Sequence, residues 1–140
     1  MSSRFFLDTN VFVYTFDSSA PNKQAAALKL IRSAIDTRAG IISFQVAQEF
    51  LQVALRRFIR PLSASDAEQY FAKTLRPLLA VQSSASLYGD ALRLFERYKL
   101  PWYDALILAA AIEGECESLY SEDFQDGQKF GEVVVRNPFK

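Results

Sequence analysis

The residues in this chain best suited to chemistry are carboxylates. Asp8 directly follows the apolar stretch Phe5-Phe6-Leu7, Glu49 sits early in the segment that opens at Phe44, and Asp104 stands at the mouth of the run Ala105 to Ile112. A late loop, Glu122-Asp123-Phe124-Gln125-Asp126-Gly127, offers a fourth acid from among Glu122, Asp123 and Asp126. There is no histidine. A Ser-His-Asp or Cys-His triad, a pair of imidazoles acting as acid and base, and a His-ligated zinc site are therefore all excluded. If the chain is a hydrolase, carboxylates and a hard divalent cation must do most of the work.

Each acid also has a plain structural explanation. Asp8 in Asp8-Thr9-Asn10 could cap a helix, and Asp104 could be a first-turn acid favoured by the helix dipole. Glu49 falls on the stripe Gln45, Glu49, Gln52, Arg56, which could be an ordinary solvated face, and acids are common in loops such as that of Asp123. Asp104 is the hardest to dismiss. The helix it opens is apolar on every side and should be buried, so the acid lacks a solvated face and has no base nearby in sequence.

The elements that would position these acids alternate between short strands and helices. Arg4 to Leu7, Gly40 to Ser43, Leu78 to Val81, Ser118 to Ser121 and Val133 to Arg136 read as strands. Lys23 to Arg38, Phe44 to Phe58, a segment to about Arg76 capped by Ser65 with Glu68, Ser86 to Tyr98, and Pro101 to about Glu113 read as helices. Asp17 to Asn22, with Pro21, and the segment around Gly127 and Gly131 read as loops. Such alternation implies an α/β fold, a mostly parallel sheet of four to five strands flanked by helices. In these sheets the crevice lies at the carboxyl ends of the strands. The four acids would converge on that edge, where they would repel one another unless a cation sat between them. Mg²⁺ and Mn²⁺ prefer oxygen ligands, and hydrolysis of a phosphodiester by such ions needs no histidine.

Size and composition fit this reading. The 140 residues suit a single domain, 1–140, and half of them are hydrophobic, enough for a core without disulfides. No apolar run is long enough to span a membrane, the first residues are too short an apolar stretch for a signal peptide, and the lone Cys116 fits a reducing compartment. A cytoplasmic location is expected. Sixteen basic and sixteen acidic residues give zero net charge, which is poor for a nucleic-acid binder. With four acids committed to metal, sixteen basic residues face twelve acidic ones over the remaining surface.

Leu7-Asp8-Thr9-Asn10, Ser43-Phe44-Gln45-Val46-Ala47-Gln48-Glu49-Phe50, Tyr103-Asp104-Ala105 through Ala111, and Ser121-Glu122-Asp123-Phe124 together resemble the PIN domain, and in size and order its VapC-type toxin branch. The resemblance runs from about Arg4 to Arg136. It implies a Rossmann-like three-layer sandwich and an endoribonuclease dependent on Mg²⁺ or Mn²⁺, the toxin of a type II toxin–antitoxin pair. Metal-ligand roles would fall to Asp8, Asp104 and Asp123, the last chosen by its spacing to Ser121. Glu49 would act through metal-bound water or complete the metal shell. Asn10, Ser43 and Ser121 match polar positions that hydrogen-bond to the acids. The branch also implies a homodimer and inhibition by a small cognate antitoxin, a helical segment of which would dock near the acids.

Arg56, Arg57 and Arg60 follow Glu49 and could hold RNA phosphate; Arg56, seven residues on, should share its face. Trp102 and Tyr103 flank Asp104 and could stack on a base, or simply pack. Two other functions compete. A phosphatase of the haloacid-dehalogenase type also begins strand–Asp, but it needs a second Asp two residues on, where this chain has Asn10. A non-catalytic module that kept the fold would have no reason to carry all four acids.

Overall fold

The computed structural model describes residues 3–140. The chain runs β1 (Phe5–Leu7), α1 (Thr9–Tyr14), α2 (Pro21–Thr37), β2 (Gly40–Ser43), α3 (Phe44–Arg56), α4 (Ala64–Tyr70), β3 (Leu79–Val81), α5 (Ala85–Tyr98), α6 (Trp102–Glu113), β4 (Ser118–Tyr120), β5 (Lys129–Phe130) and β6 (Val133–Arg136). It is an α/β fold. One sheet is ordered β3-β2-β1-β4-β6-β5, parallel except for the β5–β6 pair. The helices flank it in two groups: α1 contacts α2 and α3, while α5 packs along α6.

The sheet order locates the crevice. The chain leaves β1 for β2 and β3 on one side, then returns to lay β4 on the other. Strand order therefore reverses between β1 and β4, and ligands of such sheets bind just beyond the carboxyl ends of the strands at that reversal. Leu7 pairs with Tyr120, and the amide of Asp8 donates to the carbonyl of Tyr120 at 3.0 Å. Asp8 and Ser121 thus leave the sheet side by side.

Packing explains why the central strands hold. Phe6, Leu7, Ile42 and Leu119 are fully buried, and α6 is buried from Ala105 to Ala111. An all-apolar helix of this kind has no solvent face and must be covered on every side. A Cβ at Gly40 would overlap Ala34 and come within 2.9 Å of the Phe5 ring, so only glycine lets β2 start this close to α2. Among the described residues no helix is long and apolar enough to cross a membrane.

The observed elements depart from the expectation in a few places. The sheet has six strands, not four to five, because the segment around Gly131 forms a hairpin. Phe130 pairs with Val133 across the two-residue turn Gly131-Glu132, and Gly131 takes φ +62°. A glycine with positive φ at the first turn position fits a type II′ hairpin. The helix read as capped by Ser65 is capped two residues earlier, by Ser63, whose hydroxyl accepts from the amide of Asp66 at 3.0 Å. It continues as a π-helical stretch, Phe71–Leu75, and a 3₁₀ turn, Arg76–Leu78. Pro21, read as part of a loop, is the first residue of α2, where a missing N–H costs nothing.

Candidate active site

An open cleft of about 750 Å³ lies at this edge, and Asp8, Glu49, Asp104 and Asp123 all line it. Local sequence explains how each arrives. Asp8 ends β1 and caps α1. Ser43 ends β2 and caps α3, accepting from the Val46 amide at 3.4 Å, which leaves Glu49 in the second turn. α6 returns the chain toward the start of β4, so its first turn, with Asp104, lies at the opposite edge. Asp123 follows β4.

Asp8 is the most constrained. It is buried, its Oδ1 accepts from the Thr9 amide at 2.7 Å, and its Oδ2 accepts from the Ser121 hydroxyl at 2.7 Å. Burial pushes its carboxyl up to about 7; these two hydrogen bonds oppose the rise, and the charges of Asp123 and Glu49 add to it. Glu49 is half-buried. Its Oε1 accepts from the Thr9 hydroxyl at 2.8 Å and its Oε2 from Gln45 Nε2 at 3.3 Å. Asp104 is pushed up to about 6 by burial and by the charges of Asp123 and Glu49. Asp123, more exposed, is raised by desolvation and by Glu122 and Glu49. No ion pair involves any of the four among the described residues.

Only one of the three late-loop acids reaches the cleft. Glu122 accepts from the Tyr14 hydroxyl at 2.6 Å and pairs with Lys23 at 3.3 Å. Asp126 accepts from the Asn137 amide at 2.8 Å. Asp123 lines the cleft, with its own amide held by the Ser121 hydroxyl at 3.1 Å. The other residues singled out from sequence divide. Ser121 binds Asp8 directly, Asn10 lines the cleft without a side-chain hydrogen bond to an acid, and the Ser43 hydroxyl serves as a helix cap. Arg57 lines the cleft, while Arg56 and Arg60 are exposed outside it. Trp102 is half-buried, edge-on to Tyr88 and Phe95 with ring centroids 6.0 and 6.4 Å away; its neighbour Tyr103, 63% exposed, lines the cleft instead.

Sequence reasoning missed the parts played by Thr9 and Gln45. Thr9 donates its amide to Asp8 and its hydroxyl to Glu49, so one residue orients two acids. Gln45 Nε2 reaches both Glu49 Oε2 and the Tyr103 carbonyl, each at 3.3 Å, tying α3 to α6 across the cleft. The one available signal was that a helical stripe holding Glu49 also held amides at Gln45 and Gln52.

The donor set fits a hard divalent cation. It is all oxygen, it contains several carboxylates that burial and mutual repulsion hold above their ordinary range, and no base in the cleft is paired with them. Among the described residues no three acids stand close enough to enclose a cation by themselves. A cation placed there would have to complete its shell with water or phosphate, as Mg²⁺ commonly does.

The family model for the PIN domain matches residues 5–126. No curated protein matches the chain. Solved structures share the fold at low identity. A toxin–antitoxin complex from Klebsiella pneumoniae is 21% identical with a TM-score of 0.68, covering 98% of each chain. VapC20 of Mycobacterium tuberculosis, a sarcin–ricin loop cleaving toxin, is 20% identical with a TM-score of 0.63, covering 93% of this chain and 98% of that one. VapBC2 of Rickettsia felis, bound to a DNA fragment from its promoter, is 20% identical with a TM-score of 0.64, covering 95% and 97%.

Proposed function

The chain belongs to the PIN domain family, and on that premise we propose that it is a Mg²⁺- or Mn²⁺-dependent endoribonuclease, the toxin of a type II toxin–antitoxin pair. The observation that carries the reading is the meeting of Asp8, Glu49, Asp104 and Asp123 in one cleft at the strand-order reversal, with no counter-charge of their own. Family membership sets aside the dehalogenase-type alternative.

Asp8, Asp104 and Asp123 would hold the cation, one or two of them directly and the rest through water, and Glu49 would bind it directly or through water. When bound there, Mg²⁺ or Mn²⁺ would supply a charge that offsets the acids and the scissile phosphate and would favour ionisation of an attacking water. The chain's own groups do the rest. Thr9 and Ser121 fix the two oxygens of Asp8 and Glu49 Oε1, so the acids need not reorganise as substrate enters. Gln48 and Gln52 place amide donors along the cleft, and Arg57 supplies the positive charge a phosphate backbone needs beside so many acids. Arg56 and Arg60 extend that charge beyond the rim. Tyr103 is the aromatic free to stack on an unpaired base.

The partners proposed are a small antitoxin and a second copy of the chain, working in the cytoplasm. Support comes from the solved relatives, some of which are toxin–antitoxin complexes. Co-purification with the product of an adjacent small reading frame tests the antitoxin; growth inhibition that no neighbouring product relieves contradicts it. For the activity, the purified chain should cut single-stranded RNA with Mg²⁺, stop in EDTA and resume when Mg²⁺ is restored. Equal cleavage in EDTA contradicts a metal-dependent mechanism.

A further inference from the structure

Three of the four acids of the cleft are fixed by obvious means. Asp8 and Glu49 each accept two hydrogen bonds, and Asp104 rides on the first turn of a buried helix. Asp123 has none of this. Its carboxylate accepts no hydrogen bond among the described residues, it is exposed, and it sits in an irregular loop between β4 and β5. Its position must come from its backbone.

That backbone is gripped on both sides. Inward, the Ser121 hydroxyl accepts from the Asp123 amide at 3.1 Å. Outward, the neighbouring Glu122 turns away from the cleft into a cluster on α1 and α2. The Tyr14 hydroxyl donates to Glu122 Oε1 at 2.6 Å, and Lys23 Nζ donates to Glu122 Oε2 at 3.3 Å and to the Tyr14 oxygen at 3.1 Å. Phe139 closes the cluster, edge-on to Tyr14 at 4.7 Å, with the Lys23 ammonium 5.8 Å from its ring. The ion pair alone would contribute little, because the Lys23 and Glu122 side chains are 40% and 21% exposed. The Tyr14 hydrogen bond is different: 2.6 Å is the length of a charge-assisted O–H···O⁻ bond, about twice as strong as a neutral one. Nothing in the cluster lines the cleft, so the metal reading gives it no task.

We propose that Tyr14 and Lys23 are positioning residues for Asp123: by holding Glu122 from outside the cleft, they fix the loop that presents the fourth acid to the cation. This rests on the reading of the cleft as a metal site. The clamp acts through Asp123, which separates it from a contact that merely stabilises the fold.

The test is Mn²⁺ affinity of the full chain, read from the electron paramagnetic resonance of free Mn²⁺, with melting in EDTA measured alongside. Tyr14→Phe keeps the ring on Phe139 but loses the hydroxyl; it should bind Mn²⁺ about tenfold more weakly, the lower end of the range for residues that orient ligands. Glu122→Gln keeps an oxygen for Tyr14 but loses the charge, so its affinity should fall between that of wild type and that of Glu122→Ala. In the Asp123→Asn background Tyr14→Phe should cause no further loss. Wild-type affinity in both Tyr14→Phe and Glu122→Ala overturns the proposal, as does an undiminished Tyr14→Phe effect when Asp123 is already Asn. If wild type itself binds no Mn²⁺, the metal reading of the cleft fails and the clamp's role falls with it.

Discussion

The hydroxyl of Thr9 donates to Oε1 of Glu49 at 2.8 Å, joining the first residue of α1 to the middle of α3 across forty positions of sequence. The same residue's amide donates to Asp8. Thr9→Val keeps the shape and the amide but removes the hydroxyl. RNA cleavage should fall by about tenfold, the cost of removing a group that orients a ligand, while stability changes by only about 1 kcal/mol, since half-buried Glu49 can turn to water. Cleavage rate and urea denaturation of the pair decide it. Unchanged cleavage means that Glu49 needs no orienting partner.

Ser121 sets a pH dependence. Burial holds Asp8 up at about 7, and the Ser121 hydrogen bond is the stronger of the two that pull it back. Ser121→Ala should raise Asp8 further. If catalysis needs ionised Asp8, the acid limb of the pH–rate profile, taken at one fixed Mg²⁺ concentration, should move to higher pH in the variant. A limb that stays put shows that Asp8 does not gate the reaction.

Metal-free protein should lose stability as pH rises. Asp8 and Asp104 have folded-state values of about 7 and about 6 against an ordinary 3.8, so between these limits the folded chain binds more protons than the unfolded one. Stability is then full below about pH 4 with respect to these groups, and it declines as pH climbs through 6 to 7. Asp104→Asn removes one of the charges and should melt above wild type in EDTA at pH 7.5. Mn²⁺ at a hundredfold excess over Kd should stabilise wild type by about 2.7 kcal/mol and the variant much less. If Asp104→Asn melts lower in EDTA and both respond equally to Mn²⁺, Asp104 is a helix-terminal acid and not a ligand.

Trp102 and Tyr103 should separate packing from binding. Tyr103→Ala should weaken RNA binding by about 1–3 kcal/mol, a stacking loss, without changing Mn²⁺ affinity or the melting temperature. Trp102→Ala, which empties the contact with Tyr88 and Phe95, should cost stability on the order of 2 kcal/mol, less than a fully buried aromatic would. Fluorescence anisotropy with a short RNA and thermal melts check both. The reverse pattern would make Trp102 the RNA-facing ring.

The fold and the acids were legible because they depend on local pattern. Phe5-Phe6-Leu7 reads as a buried strand without reference to the rest of the chain, and parallel topology then carries Asp8 and Asp123 to one edge. What pattern could not supply was pairing between distant residues. Thr9 and Gln45 are ordinary polar residues until α1, α3 and α6 meet, and Trp102 and Tyr103 are equivalent until α5 covers one of them. Glu122, Asp123 and Asp126 stand close together in sequence; only Tyr14, Lys23 and Asn137, from three other parts of the chain, draw two of them away from the cleft. Arg57 lines the cleft, with Gln45, Gln48, Glu49, Gln52 and Val53 forming a continuous ridge to it, where helical spacing from Glu49 had favoured Arg56. The two-residue β5 was hidden because its single signal, the glycine at the start of a tight turn, reads equally as a loop.

The most direct test of the account is a crystal of the chain soaked in Mn²⁺, read by anomalous scattering. The account predicts a peak in the cleft bonded directly, at about 2.0–2.3 Å, to one or two of Asp8, Asp104 and Asp123, with the remaining acids and Glu49 reaching it through bound water. A cleft without anomalous density at saturating Mn²⁺, or a peak held by Glu122 or Asp126 instead, would contradict it.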